Sequence, residues 1–151
     1  MNPFAQLLAN QHLLTALSAM LIAQILKVMF EYWRTSSWKT ALFLSPGGMP
    51  SSHSALAVAV AASIGIHEGF DTTFFAVSTV VALVVMYDAA GVRRAAGEQA
   101  KAINFIFDKL EHRGLKLDTR LKEILGHNPI EVTAGAILGI IVALVASVIL
   151  S

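Results

Sequence analysis

The stretch GHNPIEVTAGAILGIIVALVASVIL, residues 126–150, decides the fold because it joins a polar motif to a long apolar run. Residues 130–150 have the length of a membrane-spanning helix, which needs about 20 apolar residues. Asn128 and Pro129 are typical of a helix start, with the asparagine as the cap and the proline at the first helical position. The sequence therefore predicts a transmembrane helix whose N-terminus carries polar residues.

Composition extends this prediction to the whole chain. Of 151 residues, 56% are hydrophobic and only 14% are charged, whereas a soluble domain carries about 25% charged residues. Three further apolar runs lie at 13–32, 55–66 and 72–87, and residues 97–126 have the pattern of an amphipathic surface helix, a turn at Gly114 and a second short helix. We expect an all-α fold: a small polytopic membrane bundle of about four transmembrane helices plus a cytoplasmic amphipathic segment, as a single domain over 1–151.

Charge predicts the orientation of the bundle. Ten of the eleven Lys and Arg residues fall in two connections, 34–49 and 93–128, and Lys27 lies near the same side. The positive-inside rule places both connections in the cytoplasm and both termini on the opposite side. The chain has no cysteine, which excludes disulfides and thiolate metal sites. With no transit features either, the sequence favours a bacterial inner membrane.

The segment 47–54 carries the first polar motif of this cytoplasmic face. Gly48 lets the backbone come close to a ligand, and Pro50 suits the first turn of a helix. Ser51 and Ser52 offer hydroxyls, and His53 offers a proton. A helix N-terminus favours an anion such as phosphate. The alternative is a capped helix start with a satisfied histidine.

A second histidine motif begins the last apolar run. His127 is a candidate nucleophile, with His53 as the proton donor facing the same anion. Glu131 lies in the first turn and could accept the N–H of His127, which would steady the imidazolium. The alternative is a capping box in which Glu131 accepts the backbone N–H of Asn128. The two roles can coexist.

Charged residues within or beside the spans complete the set. Asp88 ends an apolar span, where a carboxylate is costly unless paired. Arg93 or Arg94 could pair with it or bind phosphate oxygens, and a juxtamembrane ion pair is the alternative. Lys27 is a candidate phosphate ligand inside a span, with snorkelling to the headgroups as its alternative. The remaining histidines, interpreted as ordinary surface or interfacial residues, are His12, His67 and His112.

Three segments together resemble the divergent branch of the PAP2 superfamily, the type 2 phosphatidic acid phosphatases related to vanadium haloperoxidases. They are GGMPSSHSA (47–55), YDAAGVRRAAGEQA (87–100) and LGHNPIEVTAG (125–135), and the resemblance extends over residues 24–139. It implies that His127 forms a phosphohistidine, that His53 protonates the leaving group and that Glu131 replaces the orienting aspartate. Lys27 matches the lysine of the first motif.

The chain also departs from the superfamily pattern at several positions. Arg34 follows Lys27 at the family's spacing, but Thr35 stands where the family has proline. Ser52 replaces the glycine of the PSGH motif. Leu121 replaces the arginine expected six residues before His127. Arg93 or Arg94 would then supply the missing charge. The resemblance implies that Ser51 and nearby backbone amides cradle the phosphate.

These observations predict a phosphoric monoester hydrolase of the membrane that acts on a lipid phosphate and needs no cofactor or metal. The resemblance favours phosphatidylglycerophosphate as substrate, followed by phosphatidic acid and polyprenyl diphosphate. The expected partners are the lipid substrate and the bilayer, with no nucleic acid. One alternative is a non-catalytic protein that binds headgroups or acts as a scaffold. Another is a metal site built from His53, Asp88, His127 and Glu131.

Small residues in the last span permit close helix packing. Gly135 and Gly139 form a G-xxx-G pattern within a run rich in alanine. The pattern serves contacts within one chain as well as contacts between two chains. Because four short spans bury little surface, the sequence is also compatible with a homodimer.

Overall fold

The computed structural model describes residues 2–36, 48–111, 120–121 and 128–150, without the side chains of Arg93 and Leu150. Every regular element in this part of the chain is an α-helix, as the sequence predicts. The six helices are α1 (Pro3–Leu8), α2 (Gln11–Thr35), α3 (Ser52–Glu68), α4 (Thr73–Ala90), α5 (Val92–Glu111) and α6 (Pro129–Leu150).

Polar caps set where the apolar helices begin. Asn10 accepts the N–H of Leu13 at 3.0 Å ahead of α2, and Thr72 accepts the N–H of Phe75 at 3.3 Å ahead of α4. Each cap satisfies one of the N–H groups that a helix start leaves without an intrahelical acceptor. Each of the four predicted apolar runs forms a helix, and the bounds differ from the prediction by no more than three residues at either end.

Two predicted boundaries are wrong. Pro50 does not occupy the first turn of α3, because Ser51 is the cap and the helix begins at Ser52. The Met49–Pro50 peptide is cis. The amphipathic segment begins at Val92 rather than at Gly97, since only Gly91 separates it from α4. Its predicted turn and second short helix lie outside the described residues.

The helix α5 buries small and polar residues rather than large apolar ones. Its apolar residues at helical spacing are Ile103, Phe107 and Leu110. In the structure Ile103 is exposed and the other two are half-buried, while Ala100 and Asn104 are buried. Small and polar side chains therefore form the inner face of this helix.

The helix α3 occupies the centre of the bundle and packs against α2, α4 and α6. Its core contacts are made by alanines that are completely buried: Ala19 and Ala23 on α2, and Ala55 and Ala59 on α3. Small side chains let helix backbones approach closely, which is the usual means of packing in a membrane. Larger apolar side chains cover the outside, including Leu21, Val80 and Ile141.

Contacts between helices give their relative directions. Lys27, late in α2, touches Gly48, just before α3, and Gly135 and Gly139 of α6 face Ser51 and Ala55 of α3. Thus α2 runs antiparallel to α3, whereas α6 runs parallel to it. We call the end of the bundle with Lys27, Ser51 and Pro129 the site end, and the other the opposite end.

Three helices within the described residues are long and apolar enough to cross a membrane: Gln11–Thr35, a segment of Thr73–Glu111, and Pro129–Ile149. The central α3 is shorter, at 17 residues. The G-xxx-G pattern of α6 packs within the chain, against α3. Its role in this structure is therefore to bring two helices of one bundle together.

Candidate active site

The starts of α3 and α6 are joined by a backbone hydrogen bond. The N–H of Ser51, the cap of α3, donates to the carbonyl oxygen of Glu131, in the first turn of α6, at 3.0 Å. These residues are 80 positions apart in the chain. Because the two helices are parallel, their positive dipole ends lie side by side. Two of the polar motifs found in the sequence thus meet at one place.

The first turn of α3 is built from buried hydroxyls. Ser51 accepts the N–H of Ser54 at 3.4 Å and the hydroxyl of Ser54 at 3.0 Å. Ser51, Ser52 and Ser54 are all buried, whereas His53 is exposed. The N–H of Ser52 belongs to the first turn, for which the helix supplies no acceptor. This end of α3 therefore combines a positive dipole with a titratable side chain at its surface.

Glu131 forms the capping box of α6. The backbone N–H of Asn128 donates to Glu131 Oε2 at 3.3 Å, and Asn128 Oδ1 accepts the N–H of Ile130 at 3.4 Å. The capping interpretation of this motif is therefore confirmed. His127 lies outside the described residues, so the orienting role of Glu131 stays a prediction.

Lys27 is enclosed by the bundle, with only 3% of its surface exposed. Its aliphatic stem lies against Gly48, where a Cβ would come within 3.0 Å of Lys27 Cγ. Gly48 has a φ of +90°, a conformation that glycine adopts without strain. The Lys27 ammonium interacts electrostatically with Glu131. This burial argues against an ammonium extended into the headgroups and brings a third polar group to the site end.

Arg34 does not share this burial. It is 77% exposed and forms an ion pair with Glu31 at 2.9 Å. The helix ends one residue later at Thr35, whose hydroxyl donates to the Glu31 carbonyl at 2.9 Å. Arg34, which follows Lys27 at the family's spacing, thus pairs with a carboxylate of its own helix.

The third motif lies at the end of α4 and the start of α5. Asp88 is half-buried in the last turns of α4, at the site end, and Arg94 is exposed on α5. The side chain of Arg93 lies outside the described residues. Which arginine supplies the charge expected near His127 therefore stays a prediction.

Asn104 is a residue that sequence reasoning missed. It is 6% exposed on α5, and its amide nitrogen donates to the carbonyl of Leu121 at 2.8 Å. Its amide oxygen accepts the N–H of Leu121 at 2.9 Å. Asn104 thus clamps the backbone at Leu121, the position where the resemblance leads us to expect an arginine. The available signal was a lone asparagine on the inner face of an amphipathic helix.

The neighbouring Arg120 reinforces this clamp. It forms ion pairs with Asp108 at 2.6 Å and Glu111 at 2.8 Å. The hydrogen bond to Asp108 raises the pKa of Arg120 further above its ordinary value. Surface pairs of this kind contribute little stability individually. Their effect here is to hold Arg120 against α5.

His67 is exposed, in agreement with a surface residue, whereas His12 is half-buried and makes specific contacts. His12 Nδ1 lies 2.8 Å from Ser63 Oγ, and its Nε2 lies 3.1 Å from Glu68 Oε1. The ring of His67 packs edge-on against it, with centroids 5.8 Å apart. This cluster ties the start of α2 to the end of α3 at the opposite end of the bundle. His112 lies outside the described residues.

No group of three or more His, Asp or Glu side chains within the described ranges is arranged to hold a metal ion. Because His127 is outside those ranges, the metal alternative is tested only for His53, Asp88 and Glu131. That part of the chain gives it no support.

Comparison with known proteins places this architecture in context. Residues 8–142 match the family described as the divergent PAP2 family. The chain is also 40% identical to a Bacillus subtilis (strain 168) protein named "Uncharacterized membrane protein YuiD", over 93% of this chain and 96% of that protein. No solved structure matches the chain.

Proposed function

Because the chain belongs to the divergent PAP2 family, we propose that it is an integral membrane phosphatase that hydrolyses a lipid phosphate through a phosphohistidine. The observation that carries this proposal is the hydrogen bond from Ser51 to Glu131. It sets two helix N-termini side by side, one followed by His53 and the other preceded by His127. A phosphate held there meets two positive dipole ends and a histidine from each motif.

The proposed reaction has two steps. His127 attacks phosphorus in line and displaces the lipid alkoxide, which takes a proton from His53. Water then attacks the phosphohistidine and releases inorganic phosphate, returning a proton to His53. Glu131 steadies the positive charge on His127, in addition to its role as a cap. All bonds made and broken in this scheme involve the histidine, the phosphate and water.

Lys27 supplies the fixed positive charge of the proposed site. Its burial, its contact with Gly48 and its interaction with Glu131 support this role. A charge held in a water-poor environment stabilises the equatorial oxygens of a transferring phosphoryl group more than an exposed charge can. Ser51, the Ser52 amide and either Arg93 or Arg94 complete the proposed phosphate ligands, and we assign to Asp88 the role of orienting an arginine.

The placement in the membrane is part of the proposal. We assign α3 as a fourth span, because it packs against the three longer helices and half of its buried residues are alanines. The basic connections then lie in the cytoplasm, with the site at the cytoplasmic headgroup level and both termini outside. A bacterial inner membrane suits this arrangement. Phosphatidylglycerophosphate is the leading substrate, ahead of phosphatidic acid and polyprenyl diphosphate.

Phosphate release by the detergent-purified protein tests the activity. A panel of lipid phosphates is offered with and without EDTA to wild type, His127→Ala and the control His67→Ala, which changes a histidine at the opposite end. We expect EDTA-resistant release by wild type and by the control, and none by His127→Ala. Full activity of His127→Ala would contradict the mechanism.

A second candidate function is non-catalytic binding of lipid headgroups. The clamp of Asn104 on Leu121 favours it, because that position holds no arginine to stabilise a transition state. In this case the folded protein binds inorganic phosphate or vanadate without turning over any lipid of the panel. Isothermal titration with vanadate beside the release assay separates the two functions.

A further inference from the structure

An apolar groove runs between α3, α4 and α6. Both α4 and α6 pack on α3 but touch each other much less, which leaves a wedge-shaped space of about 430 Å³. Among its lining residues only Thr79 is polar. The small side chains of the lining include Ala62, Ala82 and Ala136. Such a space accepts an apolar occupant and offers almost nothing to a polar one.

The groove begins below the candidate active site and continues in line with it. Its first lining residue on α3, Val58, lies about 9 Å along the helix from Ser52, and on α6 Ala136 lies about 10 Å from Pro129. The last lining residues, Ile66 and Leu144, lie about 21 Å and 22 Å along the same helices. Both helices therefore give the same depth, measured from the turn that carries the proposed phosphate site.

Two aromatic rings close the far end of the groove. Phe70 and Phe75 meet edge to face, with ring centroids 5.1 Å apart, and both belong to the lining. The rings pack directly on Gly65, because a Cβ at this position would come within 2.5 Å of Phe70 Cε1. The groove thus has a defined floor about two-thirds of the way across a hydrocarbon core of about 30 Å.

We propose that this groove holds one acyl chain of the lipid substrate and that the Phe70–Phe75 pair sets the length of chain that fits. The inference rests on the proposed function, because the chain is placed by a phosphate bound at the site end. An acyl chain that descends from there meets the rings near its terminal methyl group. A polyprenyl chain long enough to cross the bilayer overruns this floor, so the groove selects phospholipids over polyprenyl phosphates.

The position of the groove favours an alkyl chain as its occupant. The groove continues from the turn that carries the proposed phosphate site, and its lining is almost entirely apolar. A single alkyl chain placed there meets apolar atoms of three helices. The occupant that we assign is therefore a chain of the lipid substrate rather than a helix of a second copy or of a partner.

Turnover of phosphatidic acids that differ only in acyl length tests the proposal. Ala62→Leu and Thr79→Leu narrow the groove on two different helices, and Ala76→Leu is the matched control on the exposed face of α4. We expect the narrowing variants to lower kcat/KM for the longest chains by about tenfold relative to the shortest, a usual cost of a misfitting methylene in an apolar pocket. Phe75→Ala should shift the preference towards longer chains. Equal length profiles for wild type and all variants would overturn the proposal.

A second measurement does not depend on turnover. A phosphatidic acid with a photoactivatable group at the end of one acyl chain is cross-linked to the full-length protein in detergent, and the labelled peptides are identified. We expect label on the peptide that contains Phe70 and Phe75, reduced by Ala62→Leu and by Thr79→Leu but not by Ala76→Leu. Label spread equally over the lipid-facing helices would overturn the groove assignment. Specific labelling without any phosphate release would instead contradict the proposed activity and leave the groove in place.

Discussion

Gly135 of α6 lies directly against the backbone carbonyl of Ser51, with no room between them for a side chain. A Cβ at this position would overlap the carbonyl oxygen and also come within 3.0 Å of Ser54 Cβ. Gly139 makes the same kind of approach to the Ala55 carbonyl one turn further on. The two glycines thus hold α6 at the distance that allows Ser51 to bond with Glu131.

A side chain at Gly135 should separate the two helix starts. For Gly135→Val we expect a loss of about 1–3 kcal/mol in unfolding free energy from overpacking, together with loss of phosphate release by the fraction that remains folded. Thermal unfolding in detergent and the release assay measure the two effects. Ile137→Ala, on the exposed face of the same helix, is the control and should change both values little. A stable and active Gly135→Val protein would show that the close approach is not required.

Replacing the buried cation should impair chemistry more than folding. For Lys27→Met we expect kcat for lipid phosphate to fall by about a hundredfold, as removal of one preorganised charge-stabilising group does in other enzymes. Lys27→Arg should not restore the rate, because the stem of residue 27 already lies against Gly48. Lys101→Met, which breaks an exposed pair with Glu98, is the matched control. If both methionine variants kept wild-type kcat, Lys27 would have no part in the reaction.

The clamp on Leu121 should control the position of the segment that leads to His127. Asn104→Asp keeps the acceptor for the Leu121 N–H but removes the donor to its carbonyl. We expect a fall in kcat with little change in KM, and a loss of about 1 kcal/mol in unfolding free energy for the hydrogen bond that is removed. Faster tryptic cleavage after Lys122 would report the released segment. Gln99→Ala, on the exposed side of α5, should leave kcat and cleavage unchanged, and an identical result for Asn104→Asp would contradict the clamp.

The histidine cluster at the opposite end should affect stability alone. His12→Ala removes the contacts with Ser63 and Glu68, and we expect a loss of about 1–2 kcal/mol in unfolding free energy. Turnover per folded molecule should stay at the wild-type value, because the cluster lies at the other end of α2 and α3. His67→Ala, which removes only a ring contact, should be less destabilising. A large loss of turnover in His12→Ala would mean that the two ends are coupled.

The sequence was sufficient to predict those parts of the fold that depend on neighbouring residues in the chain. Apolar runs predicted all four long apolar helices, and Asn128, Pro129 and Glu131 predicted the start of α6, because caps act within one helical turn. Pro50 was misplaced because a serine cap one residue later satisfies the first turn, so the proline stays outside the helix.

Contacts between distant segments could not be predicted in this way. The bond from Ser51 to Glu131 spans 80 positions, and the tie from His12 to Ser63 spans 51. Both depend on which helices are neighbours, and periodicity along one helix carries no such information. The contact of Asn104 with Leu121 could not be predicted for a related reason, since the partner is a backbone group rather than another polar side chain.

The most direct test of the account is to trap the covalent intermediate on His127. The purified protein is mixed with a lipid phosphate labelled with ³²P, quenched within the first turnover and digested for peptide mapping. The account predicts an acid-labile, alkali-stable label on the peptide containing His127, present in wild type and in His67→Ala and absent from His127→Ala. Turnover without any label, or label that persists in His127→Ala, would contradict the phosphohistidine mechanism.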